Sequence, residues 1–436
     1  MTIPLTRGTL PPMPSLELLI AQILTILIAA RLIGWLFRKI NQPRVIGEMV
    51  AGILLGPSLF GWVAPDLHAT LFPPASLGYL SSLSYVGLLL FMFLVGLELD
   101  LKRLRELGRA AVITSQVSIV LPFAFGSLFA LYLYPRLSDP HVSTLGFVLF
   151  MGAAMSVTAF PVLARILAEH RMLQTRVGSV AITCAAVDDV TAWCILAGII
   201  VIVRSSSSAL PLWLMLTGLG AFVLVMLFVV RRSLISLKLL YEKRGGLTAD
   251  TIAIIFLLVL TSSLITESLG IHALFGAFLA GVVMPRHPKL SEELSQKLEA
   301  VVVVLLLPLY FALTGLRSSI FLISGARMWF YAAVIIVLAV AGKWGGSMIS
   351  ARINGMTWRE SAAVGVLMNT RGLVELVILN IGLDLGILSP ALFSIMVLMA
   401  LVTTLMTTPL LNWILRSDAS NSQIPPRETV RKMRCS

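Results

Sequence analysis

Long apolar runs alternate with short polar loops along most of the chain. About 20 apolar residues in a helix are needed to cross a bilayer. On this basis the sequence predicts an all-α membrane protein with thirteen spanning helices. Their approximate bounds are 16–39, 45–61, 77–98, 109–134, 143–168, 175–203, 209–230, 250–268, 270–285, 298–315, 328–351, 359–383 and 388–415.

The two ends of the chain differ in character. The first apolar run, from Ser15 to Ile40, is longer than a signal-peptide core and starts without a basic region or an obvious cleavage site. We therefore expect a retained spanning helix. Residues 417–436 are polar, basic and proline-containing, which predicts a disordered tail.

Lysine and arginine are divided unequally between the two sides of the predicted membrane region. Of the 33 basic residues, about 25 fall in loops of one side, here called the basic side, and about 5 on the other. Because cytoplasmic loops carry the excess of basic residues, the N-terminus is expected outside and the C-terminus in the cytoplasm. The expected location is the inner or plasma membrane of the cell.

Composition agrees with a membrane protein and narrows its partners. Hydrophobic residues make up 58% and charged residues 12%, whereas soluble proteins carry about a quarter charged residues. The net charge of +12 is scattered over short loops, so we expect the lipid bilayer and no nucleic acid as a partner. Cys184 and Cys194 lie in one predicted helix and Cys435 in the tail, which gives no disulfide framework.

Two adjacent acids interrupt the sixth predicted span, in the stretch CAAVDDVTAW. An Asp at the centre of a spanning helix costs about 2.5–3.5 kcal/mol on insertion scales, so Asp188 and Asp189 need a function or a partner. Neighbours on a helix diverge by about 100°, so one acid can meet a fixed partner while the other faces a water-filled cavity. A purely structural tie between helices is the alternative.

Lys343, in AVAGKWGG of the eleventh predicted span, is the expected partner of this pair. A lone buried ammonium is as unfavourable in the membrane as a lone carboxylate, and pairing relieves both. Lys343 either serves only as a structural counter-ion or also releases its proton when a cation competes for the acid. The residues alone leave both roles open.

Two predicted spans contain polar interruptions typical of broken helices. Pro161 in AMSVTAFPVL removes a backbone donor, and LMNTRGLVEL carries four polar or flexible residues in succession. Irregular backbone at membrane depth is tolerated only in protein or beside a cavity, and it points to a transport site. Candidate ligands at the two breaks are Ser156, Thr158, Asn369 and Thr370, although hydroxyls also bond to their own helix.

Arg371 and Glu375 lie four residues apart in the second interrupted span. They can neutralise each other on one helix face, or they can act as a gating pair for ion passage. Both interpretations stay open.

A weak internal repeat joins the two halves of the chain. GEMVAGILLGP at 47–57 and GAFLAGVVMP at 276–285 share small and aliphatic positions, and the spans run in opposite directions across the membrane. An inverted repeat explains this, and so does a general need for small residues in helix packing.

Carboxylates at membrane depth favour ion exchange. A carboxylate holds a cation when ionised and a proton when neutral, so the two compete at one site. The sequence therefore predicts a transporter, not an enzyme, that exchanges Na⁺ or K⁺, with Li⁺ a further candidate, for protons without a cofactor. An intramembrane aspartyl protease needs its acids on facing helices. A cation channel is opposed by the buried Lys343 and by the lack of a carbonyl-filter segment.

Five motifs resemble one known family. The chain is identified as a member of the monovalent cation:proton antiporter-2 family, which includes NapA-type, Kef-type and plant CHX-type exchangers. The motifs are VIGEMVAGILLGPSLFG, FLVGLELD, AAVDDV, IHALFGAFLAGVVMP and NTRGLVELVILNIG.

The resemblance implies a homodimer with inverted-topology repeats, two crossed discontinuous helices and alternating access. Asp189 would bind the cation and the proton, and Asp188 would form a salt bridge with Lys343. The broken helices would hold Thr158 and Thr370. The implied division is scaffold 1–106, core 107–206, linker helix and cytoplasmic loop 207–249, scaffold 250–326, core 327–416 and tail 417–436.

The subfamily indications differ. Kef-type members usually have an amide in place of Asp188, so the acid pair with Lys343 implies electrogenic exchange, with Kef-like K⁺ efflux as the alternative. No nucleotide-binding regulatory domain is expected in this chain. NTRGLVEL resembles CHX-type members, many of which are linked to potassium, so the choice of cation stays open.

Overall fold

The computed structural model describes residues 16–40, 42–98, 109–138, 141–173, 175–205, 211–285 and 287–419. Throughout these ranges the chain forms helices joined by short connections, without a strand. The predicted all-helical fold is therefore confirmed. The predicted tail lies outside the described residues from residue 420 onward, and its first residues instead extend the last helix to Ala419.

The helices follow one another closely along the chain. The first half contains α1 (Leu16–Lys39), α2 (Arg44–Leu55), α3 (Phe60–Val63), α4 (Pro65–Leu71), α5 (Pro74–Glu98), α6 (Arg109–Leu137), α7 (Thr144–Ser156), α8 (Phe160–Glu169) and α9 (Arg176–Ser205). The second half contains α10 (Leu212–Leu224), α11 (Arg231–Ser233), α12 (Ile235–Arg244), α13 (Ala249–Ser268), α14 (Ala273–Val282), α15 (Pro288–Val301), α16 (Leu307–Arg317), α17 (Gly325–Val340), α18 (Gly346–Ile353), α19 (Trp358–Met368), α20 (Leu373–Asp384) and α21 (Pro390–Ala419).

Every predicted span coincides with a helix of the structure. Among the described residues, eleven helices are long and apolar enough to cross a membrane, and α19 with α20 forms a twelfth span bent by 41°. The ninth predicted span is the shorter apolar helix α14. Two spans extend further than their apolar runs, since the helices reach Arg244 and begin at Pro288, where charged residues continue the helix outside the apolar stretch.

Two pairs of short helices replace continuous spans. The extended segment between α7 and α8 covers Val157 to Ala159, and Pro161 lies in the first turn of α8, where its missing N–H costs no helix bond. The segment between α19 and α20 covers residues 369–372. Thr357 and Glu360 form a capping box at the start of α19, which fixes where this half-helix begins.

The helices pack in two sets. One set brings together α1, α2, α5, α13, α14 and α16; the other brings together α6 to α9 and α17 to α21. Their internal contacts bury an extensive apolar core, which includes Phe93, Phe147, Phe150 and Phe393. The two broken spans and the acid-bearing α9 lie in the second set, so the irregular backbone is surrounded by protein.

Candidate ion-binding site

The two broken spans cross where their helices are interrupted. The backbone N–H of Ala159 donates to the carbonyl of Thr370 at 2.9 Å, which joins the two extended segments directly. The Thr158 hydroxyl lies 3.1 Å from the carbonyl of Met368, the last residue of α19. Backbone groups that the breaks leave without helix partners thus bond to the other broken span, because unpaired polar groups are costly inside a membrane.

Asp188 is fully engaged at this crossing. Its Oδ1 accepts from the Ser115 hydroxyl at 2.6 Å. Its Oδ2 accepts from the hydroxyls of Ser118 and Thr158, both at 2.8 Å, and from Lys343 Nζ at 2.7 Å. The side chains of Asp188 and Lys343 are both completely buried, so their charges are paired away from solvent.

Lys343 lies in a short π-helical turn, Ala341–Gly345, between α17 and α18. Such turns often occur at functional sites in place of a regular helix. Besides Asp188, its ammonium group donates to the carbonyls of Ser118 at 3.0 Å and Ser156 at 2.5 Å. The charged group is therefore held by three acceptors, one on α6, one on α9 and one at the end of α7.

The sequence explains why the Ser118 carbonyl is available. Pro122 lies four residues further along α6 and has no N–H, so the regular helix bond to Ser118 cannot form. Gly342 permits the close approach, because a Cβ there would lie 2.8 Å from the Pro122 Cα. The neighbouring Lys343 is therefore brought against the carbonyl that the proline leaves unpaired.

Asp189 differs sharply from its neighbour. Its side chain is only 3% exposed, yet neither carboxylate oxygen has a hydrogen-bond partner in the described part of the chain. The backbone amide of Phe160, the first residue of α8, lies beside it. One acid of the pair is thus saturated with donors, whereas the other has no side-chain donor among the described residues and has only the Phe160 amide nearby.

A cavity of about 350 Å³ reaches Phe160, the residue whose backbone amide lies beside this acid. Its lining extends from the exposed Glu98 and Glu299 to Phe160 and Leu373, the first residues of the two half-helices α8 and α20. Arg165 also lines it. The segment after Glu98 carries Lys102, Arg103 and Arg105, which the sequence assigns to the basic side. The cavity is therefore expected to open toward that side.

Arg371 and Glu375 form a second buried ion pair. Arg371 Nη1 lies 3.1 Å from Glu375 Oε1, and both side chains are completely buried. The guanidinium also donates to the carbonyls of Ala154 and Met155 in the last turn of α7, at 3.2 and 2.7 Å. A positive charge at a helix C-terminus offsets the partial negative charge of its free carbonyls.

The predicted residues at the breaks participate in different ways. Ser156 contributes its carbonyl to Lys343 while its hydroxyl bonds back to Ala153. The Thr370 hydroxyl donates to the Leu367 carbonyl, and the Thr370 carbonyl accepts from the backbone N–H of Ala159. Asn369 is buried and its Oδ1 has no partner among the described residues.

Three site residues were not predicted from the sequence. Ser115 and Ser118 contact Asp188, and the Thr404 hydroxyl contacts the backbone N–H and carbonyl of Arg371, at 2.9 and 2.8 Å. Serines and threonines are common in spanning helices, so single hydroxyls carry little signal. The spacing of Ser115, Ser118 and Pro122 on one predicted helix was the available indication.

Comparison with known proteins assigns the chain to a family. The family model described as "Sodium/hydrogen exchanger, transmembrane" matches residues 25–416. The chain belongs to the sodium/hydrogen exchanger family. This agrees with the resemblance to cation:proton antiporters inferred from its motifs.

Relatives of this exchanger occur in bacteria, plants and yeast. It is 41% identical over 399 residues to the Na⁺/H⁺ antiporter NhaS4 of Synechocystis, covering 91% of this chain and 97% of that one. It is 43% identical to cation/H⁺ antiporter 17 of Arabidopsis thaliana (93% and 49% covered) and 35% identical to K⁺/H⁺ antiporter 1 of Saccharomyces cerevisiae (91% and 46%). The exchanger therefore spans about half the length of the plant and yeast relatives.

A solved structure shares the fold of this exchanger. The sodium proton antiporter MjNhaP1 of Methanocaldococcus jannaschii matches with a TM-score of 0.59, covering 93% of this chain and 99% of that chain. Sequence identity is 11%, so the likeness concerns the fold alone.

Proposed function

We propose that this chain exchanges Na⁺ or K⁺ for protons across a membrane, with both ions competing for Asp189. The observation that carries the proposal is the contrast between the two acids. Asp188 accepts four hydrogen bonds, whereas the buried Asp189 has no partner for either oxygen in the described residues. A buried carboxylate without a partner is costly unless it binds an ion or a proton in turn.

Transport requires that Asp189 meet each side of the membrane alternately. The cavity beside Phe160 gives a route from the basic side. At the far ends of α16 and α20, Arg317 Nη1 bonds to Asp384 Oδ1 at 2.8 Å, and the hydroxyl of Tyr85, from the middle of α5, bonds to the same carboxylate. These contacts join α16 and α5 to α20, so they close the opposite route until the helices separate.

The two packing sets support an alternating-access mechanism. In it, the core segments 107–206 and 327–416 move against the scaffold segments 1–106 and 250–326, and 207–249 connects them. The excess of basic residues supports an N-terminus outside and a C-terminus in the cytoplasm, in the inner or plasma membrane. The functional unit in this proposal is a homodimer.

Lys343 gives the exchange a second group that can change its charge. Its ammonium binds Asp188 and two carbonyls in a fully buried site. Release of its proton together with that of Asp189 would move more than one proton for each monovalent cation. We therefore propose electrogenic exchange.

The proposal is tested in proteoliposomes that contain a pH-sensitive dye. Addition of Na⁺ or K⁺ is expected to drive proton movement by the parent protein and not by Asp189→Asn, which keeps the size of the side chain but cannot carry a negative charge. Li⁺ and the impermeant cation choline complete the series. Undiminished cation-driven proton movement by Asp189→Asn rejects Asp189 as the binding group. Cation flux without proton counterflow in the parent indicates a channel.

A further inference from the structure

Ser115 and Ser118 hold the carboxylate of Asp188, the residue adjacent to the proposed ion-binding Asp189. They lie three residues apart on α6, hence on one helix face, and both hydroxyls are completely buried. Ser115 is the hydrogen-bond donor to Asp188 Oδ1 in the described residues, and Ser118 donates to Oδ2. Each oxygen of Asp188 is thus held by a different serine.

These hydrogen bonds hold the Asp188 carboxylate against Lys343 and leave it unavailable to an ion. An ionised carboxylate offers about four lone-pair positions. Asp188 accepts from four donors, which are the two serines of α6, Thr158 in the segment between α7 and α8, and Lys343. The ammonium is also fixed by the Ser118 carbonyl. Asp188 therefore has no vacant position for a cation, and its charge is matched by that of Lys343.

The charged groups around Lys343 determine the net charge of the site. Asp188 and Asp189 act on it from α9, and Arg371 acts on it from the second broken span. Glu375 lies within electrostatic range but is paired with Arg371. When each ion pair is counted as neutral, the carboxylate of Asp189 is the uncompensated charge among these four acidic and basic neighbours of Lys343.

From this geometry we propose that Ser115 and Ser118 are positioning residues that make the site selective for monovalent over divalent cations. The proposal rests on Asp189 as the ion-binding group. One carboxylate matches the charge of Na⁺ or K⁺, whereas divalent ions such as Ca²⁺ are held by several oxygen ligands that commonly include more than one carboxylate. Without the Ser115 hydroxyl, Asp188 Oδ1 loses its donor in the described residues. The carboxylate is then free to turn from its present orientation, so that a second carboxylate, on the residue adjacent to Asp189, becomes available to a divalent ion.

The test compares divalent inhibition of cation-driven proton movement in proteoliposomes. Ser115→Ala, which frees Oδ1, and the double variant Ser115→Ala/Ser118→Ala are assayed with Na⁺ or K⁺ in the presence of Ca²⁺ or Mn²⁺. A hydrogen bond to a charged group is worth enough for about a tenfold change in binding, so the inhibitory concentration of the divalent ion is expected to fall about tenfold or more. The KM for the monovalent cation is expected to change more than the maximal rate.

Two matched variants separate positioning from general damage. Ser115→Thr keeps the hydroxyl and is expected to restore the inhibition profile of the parent. Ser347→Ala removes another buried serine hydroxyl, one without a hydrogen-bond partner in the described residues, and should leave the profile unchanged. If the double variant fails to insert, Ser115→Ala alone decides the question.

Several results overturn the proposal. Equal divalent inhibition of Ser115→Ala and the parent shows that the hydroxyl does not keep Asp188 from divalent ions. The same increase in inhibition in Ser115→Thr and Ser115→Ala shows that the hydroxyl is not the cause. Failure of the proposed function is distinguished by Asp189→Asn, because an active Asp189→Asn rejects the site itself, whereas the serine results reject only the role of the serines.

Discussion

At the scale of single residues, the site depends on charges that are buried in pairs. The Arg371 and Glu375 side chains are completely buried 3.1 Å apart, and Arg371 also binds two carbonyls at the end of α7. Removal of one partner of such a pair leaves an uncompensated charge and costs about 3–5 kcal/mol, whereas replacement of both by apolar residues is often tolerated. The pair is therefore expected to stabilise the fold, which stability measurements can test.

The first prediction concerns this pair. Arg371→Met should lower the thermal unfolding midpoint in detergent strongly, because Glu375 loses its counter-charge, and Arg371→Met/Glu375→Leu should recover part of the loss. Arg244→Met in the exposed pair with Asp250 is the control, and its effect should be below about 1 kcal/mol. Equal effects of Arg371→Met and Arg244→Met on the unfolding midpoint would show that burial does not determine how much the Arg371–Glu375 pair stabilises the protein.

At the scale of elements, the two breaks must approach each other closely. The hydrogen bond from Ala159 to the Thr370 carbonyl joins them, and Gly372 faces α8 at the same point. A Cβ on Gly372 would lie 2.8 Å from Val162 Cγ2 and 3.4 Å from the Ala159 Cβ. The absence of a side chain at residue 372 therefore allows the broken spans to cross.

The second prediction follows from this contact. Gly372→Ala should separate the two breaks, slow cation-driven proton movement and lower the unfolding midpoint, since the inserted methyl would lie 2.8 Å from Val162 Cγ2 and the Val162 side chain or α8 must shift. Gly198→Ala on α9 is the control, because a Cβ there has no neighbour within 4 Å. Unchanged transport by Gly372→Ala would mean that the crossing adjusts without loss of function.

At the scale of the whole molecule, the cavity and the polar network lie at opposite ends of α16 and α20. The network joins α5, α16 and α20 through Tyr85, Arg317 and Asp384, and continues from Asn380 to Thr314 at 2.8 Å. Opening of the route away from the basic side would have to break these bonds. The network is therefore expected to determine how often the site is open to the side opposite the basic side rather than to the basic side.

The third prediction tests this balance. In a variant without native cysteines that carries Thr314→Cys, Asp384→Asn should increase labelling by a membrane-impermeant thiol reagent added on the side of Arg317, because the substitution weakens the bonds that close this route. Asp66→Asn, which removes an exposed carboxylate outside the network, is the control. Slower or unchanged labelling in Asp384→Asn contradicts a closing role for the network.

The sequence by itself determined the all-helical membrane fold, the positions of the spans and the interrupted helices. These features follow from local patterns, because a bilayer demands long apolar helices and makes each charge within them conspicuous. The adjacency of Asp188 and Asp189 and the presence of Lys343 could be read in the same way. The helical extensions to Arg244 and from Pro288 were missed, since charged turns continue a helix without an apolar signal.

Only the tertiary structure decided which acid is occupied. The four donors to Asp188 come from three separate stretches of the chain, and two of them are serines that no local pattern distinguishes from other serines in spanning helices. The bare carboxylate of Asp189 and the cavity that leads to Phe160 likewise arise from how distant helices meet. Local sequence sets which groups are costly to bury, and packing determines which of them obtains partners.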